Sequence, residues 1–85
     1  MKIINVCTNC QLLIYNDAFG PVEVVFSYGV PVASYSGNDF HRHWDGYSVT
    51  TLRHINKALK PSTPITKKTW EAMEIREIEF PNAYA

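Results

Sequence analysis

One stretch of the chain, Val49 to Leu59, carries apolar residues at helical spacing, while the segments in front of it alternate as strands do. That combination limits the architecture to one main helix laid on a small sheet. At about 100° per residue Val49, Leu52, Ile55, Asn56 and Leu59 share one side. Ser48 is placed to cap the helix, and Pro61 ends it. Thr50, Arg53 and Lys57 form a stripe on another side, with His54 turned away from the core. Lys57 and Lys60 fall in the last turn, where unpaired carbonyls favour positive charge.

Cys10 to Tyr15 reads as a strand closed by Asn16-Asp17 and Gly20-Pro21. The alternation that follows puts Val22, Val24, Phe26 and Tyr28 on one face, taken as the core side. Gly29-Val30 suits a two-residue type II′ turn, which would set Val24 opposite Tyr35 and Phe26 opposite Ala33. In that register Val25 and Val32 lie on the outer hairpin face, as a dimer contact or as scattered surface apolars. Pro31 confines the return strand to Val32–Ser36 or to an edge. In Phe40 to Trp44, period two sets Phe40, Arg42 and Trp44 against a solvated His41 and His43.

Beyond Pro61, Thr66 can cap a short helix from Lys67 to about Met73, anchored by Trp70 and Met73. Glu74 to Phe80 alternates again, so Ile78 and Phe80 face inward on a last strand that Pro81 closes. The expected fold is one α+β domain over residues 1–85. Three or four antiparallel strands built on a hairpin are packed by the main helix, with a short second helix and a C-terminal strand.

An 85-residue chain has room for one domain, and a hydrophobic content of 46% with 13% aromatics is enough to order it. Eight basic residues balance eight acidic ones, so no global field favours nucleic acid or an anionic membrane. No leader pattern or membrane-length apolar run is present. The expectation is a soluble, cytoplasmic protein whose two cysteines are thiols or metal ligands.

Cys7 and Cys10 have the spacing of a zinc half-site, and His41 and His43 would complete four donors for a zinc-binding nucleic-acid module. Two histidines two apart on a strand do not match the usual second half, so the main reading holds no metal and no cofactor. As a redox pair the cysteines lack a helix start to lower a thiol pKa. Cys7, His54 and Asp45 are the right residue types for nucleophilic catalysis, yet no local motif joins them, and the chain is read as a non-enzyme. The candidate contact surface is therefore Thr50, Arg53, His54 and Lys57, a face suited to phosphate or carboxylate groups.

The segment Phe26-Ser27-Tyr28-Gly29-x-Pro31-Val32-Ala33, followed by Tyr47-Ser48-x-Thr50-Thr51-x-Arg53-His54-Ile55-Asn56-x-x-Leu59, resembles a family of small proteins of unknown function encoded by bacteriophages and mobile elements. The resemblance spans roughly residues 10 to 60. It implies a hairpin sheet packed by one helix and supplies no catalytic residue. It also implies a phage or prophage context. Small size, neutral charge and the missing active site suit stoichiometric binding, so the expectation is a phage accessory protein, monomeric or homodimeric, that binds and inhibits or modulates a host macromolecule in the host cytoplasm, such as a CRISPR effector. A host protein or complex is the expected partner, ahead of nucleic acid.

Overall fold

The computed structural model describes residues 1–37 and 39–77. Five strands run in order: β1 (Lys2–Cys7), β2 (Cys10–Asp17), β3 (Gly20–Ser27), β4 (Val30–Ser36) and β5 (Asp39–Arg42). They form one antiparallel sheet in which every strand lies beside its sequence neighbours. Two helices follow, α1 (Val49–Leu59) and α2 (Lys67–Ala72). The α+β architecture is as expected, with β1 as a further strand. Lys2-Ile3-Ile4-Asn5-Val6-Cys7 is short and lacks a regular alternation, and its pairing with β2 makes it a strand. The expected inward positions Ile78 and Phe80, and with them most of the last strand, lie outside the described residues. The segment leading there bridges Ile75 to Arg42 in parallel, and the Arg76 amide donates to the Arg42 carbonyl at 2.7 Å.

The β3–β4 hairpin departs from the expected register. Its two-residue turn is Tyr28-Gly29, one position earlier, with φ of 53° and 77°, the pair of positive angles that a type I′ turn requires. Phe26 pairs with Pro31 and Val25 with Ala33, so Val32 is the extra residue of a bulge. Changing the register exchanges the two faces of a strand. Val25 and Val32 accordingly lie in the main core, 0% and 2% exposed, and offer no outer dimer contact.

That core sits between the sheet and the helices. Cys10, Leu12, Val25, Val32 and Ala33 from the strands meet Ile55, Leu59, Ile65 and Trp70, with Phe40, Trp44 and Met73 packed beside them. Phe40 and Trp44 turn inward as their spacing implied. Burying a side chain such as Ile55 or Leu59 contributes about 1.5–3 kcal/mol, which for a domain this small makes the helix layer decisive. Val22, Val24 and Phe26 do share a face, but it is the opposite one, where they cluster with Leu13 and Tyr15.

Arg42 is the polar centre of the molecule. At 6% exposure its guanidinium donates to the carbonyls of Trp44 (2.8 Å), Trp70 (3.0 Å), Asp45 (3.1 Å) and Gly46 (3.3 Å). The Trp70 indole also donates to the Gly46 carbonyl at 2.9 Å. The chain approaches so closely here that a Cβ on Gly46 would lie 2.3 Å from the Trp44 ring. One buried cation thus fixes β5, the loop before α1, and α2 together.

Candidate partner-binding face

Helix α1 is placed by contacts at both ends. Ser48 accepts a hydrogen bond from the Thr51 amide at 3.3 Å, and Lys60 takes a left-handed C-cap (φ 48°) with its amide bonded to the Asn56 carbonyl. Asn56 fixes the rotation of the helix. Its side chain donates to the Ile65 carbonyl (2.9 Å) and accepts from the Ile65 amide (2.8 Å), clasping the Pro-rich connection back onto α1.

The buried stripe is Thr51, His54, Ile55 and Leu59, turned from the expected one by about a residue. Val49 is consequently 53% exposed, and His54, expected on the solvent side, is 7% exposed. The cause is a polar contact that pattern alone does not weigh. His54 Nδ1 lies 2.9 Å from the Ser27 hydroxyl, which is itself 3.3 Å from the Thr51 hydroxyl. Ser27 is a buried strand residue, and a helix laid over it must present partners for it. The Cys10 thiol adds a long contact, 3.8 Å, to the His54 carbonyl.

Thr50, Arg53 and Lys57 remain exposed, with Lys60 continuing the same stripe. None of these cations is paired with a carboxylate among the described residues. Tyr28, expected in the core, borders the stripe instead. It is 61% exposed, and its ring centroid lies 5.9 Å from that of His54, between Thr50 and Lys57 on the helix. Its φ of 53° is a conformation that a bulky side chain adopts at a cost of about 1–2 kcal/mol. The neighbouring β1–β2 turn uses Asn9 (φ 60°), a residue suited to that region, and the Asn9 carbonyl accepts from the Tyr28 amide at 2.8 Å. The signal in the sequence was the dipeptide Tyr28-Gly29 between two alternating runs.

The four zinc-donor candidates are not brought together. Cys7 and Cys10 face one another across the β1–β2 turn at one side of the sheet, while His41 and His43 belong to β5 and its end at the other. Cys10 lies in the core under α1, whereas His41 pairs with Ser34 on the opposite face. Among the described residues no three His, Cys, Asp or Glu side chains are grouped to hold a metal ion. Burial first, then the neighbouring Cys7 thiol, pushes the Cys10 pKa up to about 11, so this thiol stays protonated at neutral pH.

His41 and His43 are half-buried rather than solvated. His43 Nδ1 donates to the Arg76 carbonyl at 2.7 Å, so in the neutral ring Nε2, 2.7 Å from Ser34 Oγ, accepts the serine proton. Arg76 donates to His41 Nδ1 at 3.2 Å. Desolvation, then Arg76 and His43, lower the His41 pKa, with Asp39 opposing. Cys7, His54 and Asp45 do not form a catalytic group: the partner of His54 is Ser27, and Asp45 offers its carbonyl to Arg42.

Residues 1–75 match a family of unknown function, DUF8033. The chain belongs to that family. No curated protein and no solved structure matches it. The match covers all five strands and both helices of this DUF8033 member, including the Tyr28 turn and the basic stripe. None of its described helices is long and apolar enough to cross a membrane.

Proposed function

We propose that the protein is a non-enzymatic binding module whose partner docks on Tyr28 and on the outer stripe of α1, through Thr50, Arg53 and Lys57. The observation that carries this reading is Tyr28, a large aromatic held exposed in a left-handed turn against His54, the helix residue next to Arg53. Strained residues are kept where a surrounding structure holds them for a purpose, and Tyr and Arg are the side chains that most often anchor interfaces. His54 serves from beneath, through its contact with the Tyr28 ring. The partner suited to this face is an acidic surface on a host protein or complex. Together with the resemblance to phage-encoded proteins, this supports an accessory protein that inhibits or modulates a host macromolecule, a defence-system component such as a CRISPR effector among them.

The test is affinity capture from host lysate with three chains: wild type, Arg53→Glu with Lys57→Glu, and Glu71→Lys on α2 as a remote control. A partner retained by wild type and control but lost from the double reversal supports the face. Equal capture by all three removes it. Loss of the captured species on nuclease treatment would reassign the partner as nucleic acid.

A further inference from the structure

The two edges of the sheet are finished differently. On the β5 side the chain returns, with Ile75 bridging Arg42 and the Arg76 amide donating to the Arg42 carbonyl. On the β1 side no described strand pairs with the outer edge. A strand in that position directs the backbone N–H and C=O of alternate residues away from its neighbour, toward whatever can bond them.

The side chains at this edge are apolar where solvent would favour charge. Met1 is 63% and Ile3 64% exposed. Ile3 also walls a shallow apolar groove with Gln11, Leu13 and Phe26 on the face away from α1. Edges that must stay single carry several charges, prolines or a bulge. From Met1 to Asn5 there is one lysine and no proline, and the bulge falls later, between Asn5 and Cys7.

We propose that this edge is a homodimer interface, in which β1 of two copies pairs antiparallel about Ile3 to make one ten-stranded sheet. Residues opposite each other in an antiparallel pair point to the same face. A two-fold axis through Ile3 therefore sets Ile3 against Ile3, Lys2 against Ile4, and Met1 against Asn5 of the other copy. The strand is its own complement in this register. No like charges meet across the seam, and the two apolar grooves run together at the axis. With eight cations and eight anions the chain has no net charge to oppose self-association. The contact uses the same β1 edge on both copies, so assembly closes at two instead of propagating into a fibre. The strand spans only about 20 Å, so the interface is small and the dimer dissociates on dilution.

Sedimentation across a concentration series reads this directly. Wild type shifts from monomer to dimer mass as concentration rises to the hundred-micromolar range. Ile3→Lys, which sets two ammonium groups against each other at an exposed position, stays monomeric with an unchanged circular dichroism spectrum. Ile3→Cys in a Cys7→Ser background gives a dimer on mild oxidation that reductant dissolves. A wild type that stays monomeric throughout overturns the proposal, as does an Ile3→Lys chain that dimerises as wild type does. An Ile3→Cys chain that does not cross-link while wild type dimerises overturns the register.

Discussion

The guanidinium carbon of Arg42 stands 4.7 Å from the centre of the Trp70 ring, and Nη1 of the same group bonds the Trp70 carbonyl. Arg42 is thus held by the face and the backbone of one residue, and Trp70, 1% exposed, is the largest fully buried side chain of the core. No carboxylate shares this site among the described residues, and the four carbonyls take its place.

Replacing Arg42 should therefore be among the most damaging single changes. Arg42→Ala removes a donor from four carbonyls, of which that of Gly46 keeps the Trp70 indole and that of Trp70 keeps the Met73 amide, and is expected to cost about 3–5 kcal/mol. Arg42→Lys keeps the charge but loses the planar fork, and is expected to cost about 2 kcal/mol. Urea unfolding followed by Trp fluorescence measures both; a midpoint unchanged in either variant would contradict the assigned role.

Tyr28→Asn separates stability from binding. Asparagine tolerates the left-handed turn, so the variant should be more stable by up to about 1 kcal/mol. It should also capture less partner, since the exposed ring is gone. Thermal denaturation and affinity capture on the same samples test the two halves. A destabilised variant would mean that the Tyr28 ring contributes more to the fold, through its contact with His54, than its backbone costs.

The two thiols should react unequally. Cys10 is fully buried with its pKa raised, whereas Cys7 is partly accessible. A thiol reagent at pH 7.5 should modify one cysteine per native chain and two after denaturation, with mass mapping placing the native adduct on Cys7. Linkage sets the alkaline behaviour. The unfolded thiol ionises near pH 9 and the folded one near 11, so this contribution is intact below 9 and is lost as pH rises between them. Loss approaches about 1.4 kcal/mol per pH unit in that window, and Cys10→Ala should flatten it.

His41 predicts the acid side. Its folded pKa lies below the ordinary 6.5, so the folded state favours the neutral ring. The associated stability is complete above pH 6.5 and declines as pH falls through and below that value, where the unfolded chain takes up the proton first. His41→Gln should make stability less sensitive to pH in this range. Chemical denaturation at pH 7.0 and at successive steps below 6.5 would reveal it, and identical slopes for both proteins would refute it.

The helix boundaries were legible because caps are local: Ser48, Thr66 and Pro61 act through their own backbone neighbours. Phe40, Trp44, Trp70 and Met73 were recognisable as core by size and spacing. The hairpin register was not, since a tyrosine in a left-handed turn and a bulge at Val32 both defy local preference and are decided by packing under α1. His54 went to the wrong side for a related reason. Its burial depends on Ser27, twenty-seven positions earlier, and no periodicity in the helix encodes that partner. The same distance hid Tyr28, whose ring meets that of His54 only after the hairpin folds against the helix.

Because each of the five described strands pairs with its sequence neighbours, this sheet can assemble hairpin by hairpin without closing a long loop. The contacts of wide separation, Ser27 to His54 and Arg42 to Trp70, belong to the helix layer. Those long loops are expected to close late, so the order of events in folding would run from the meander to the lid, and the docking of α1 would set the rate.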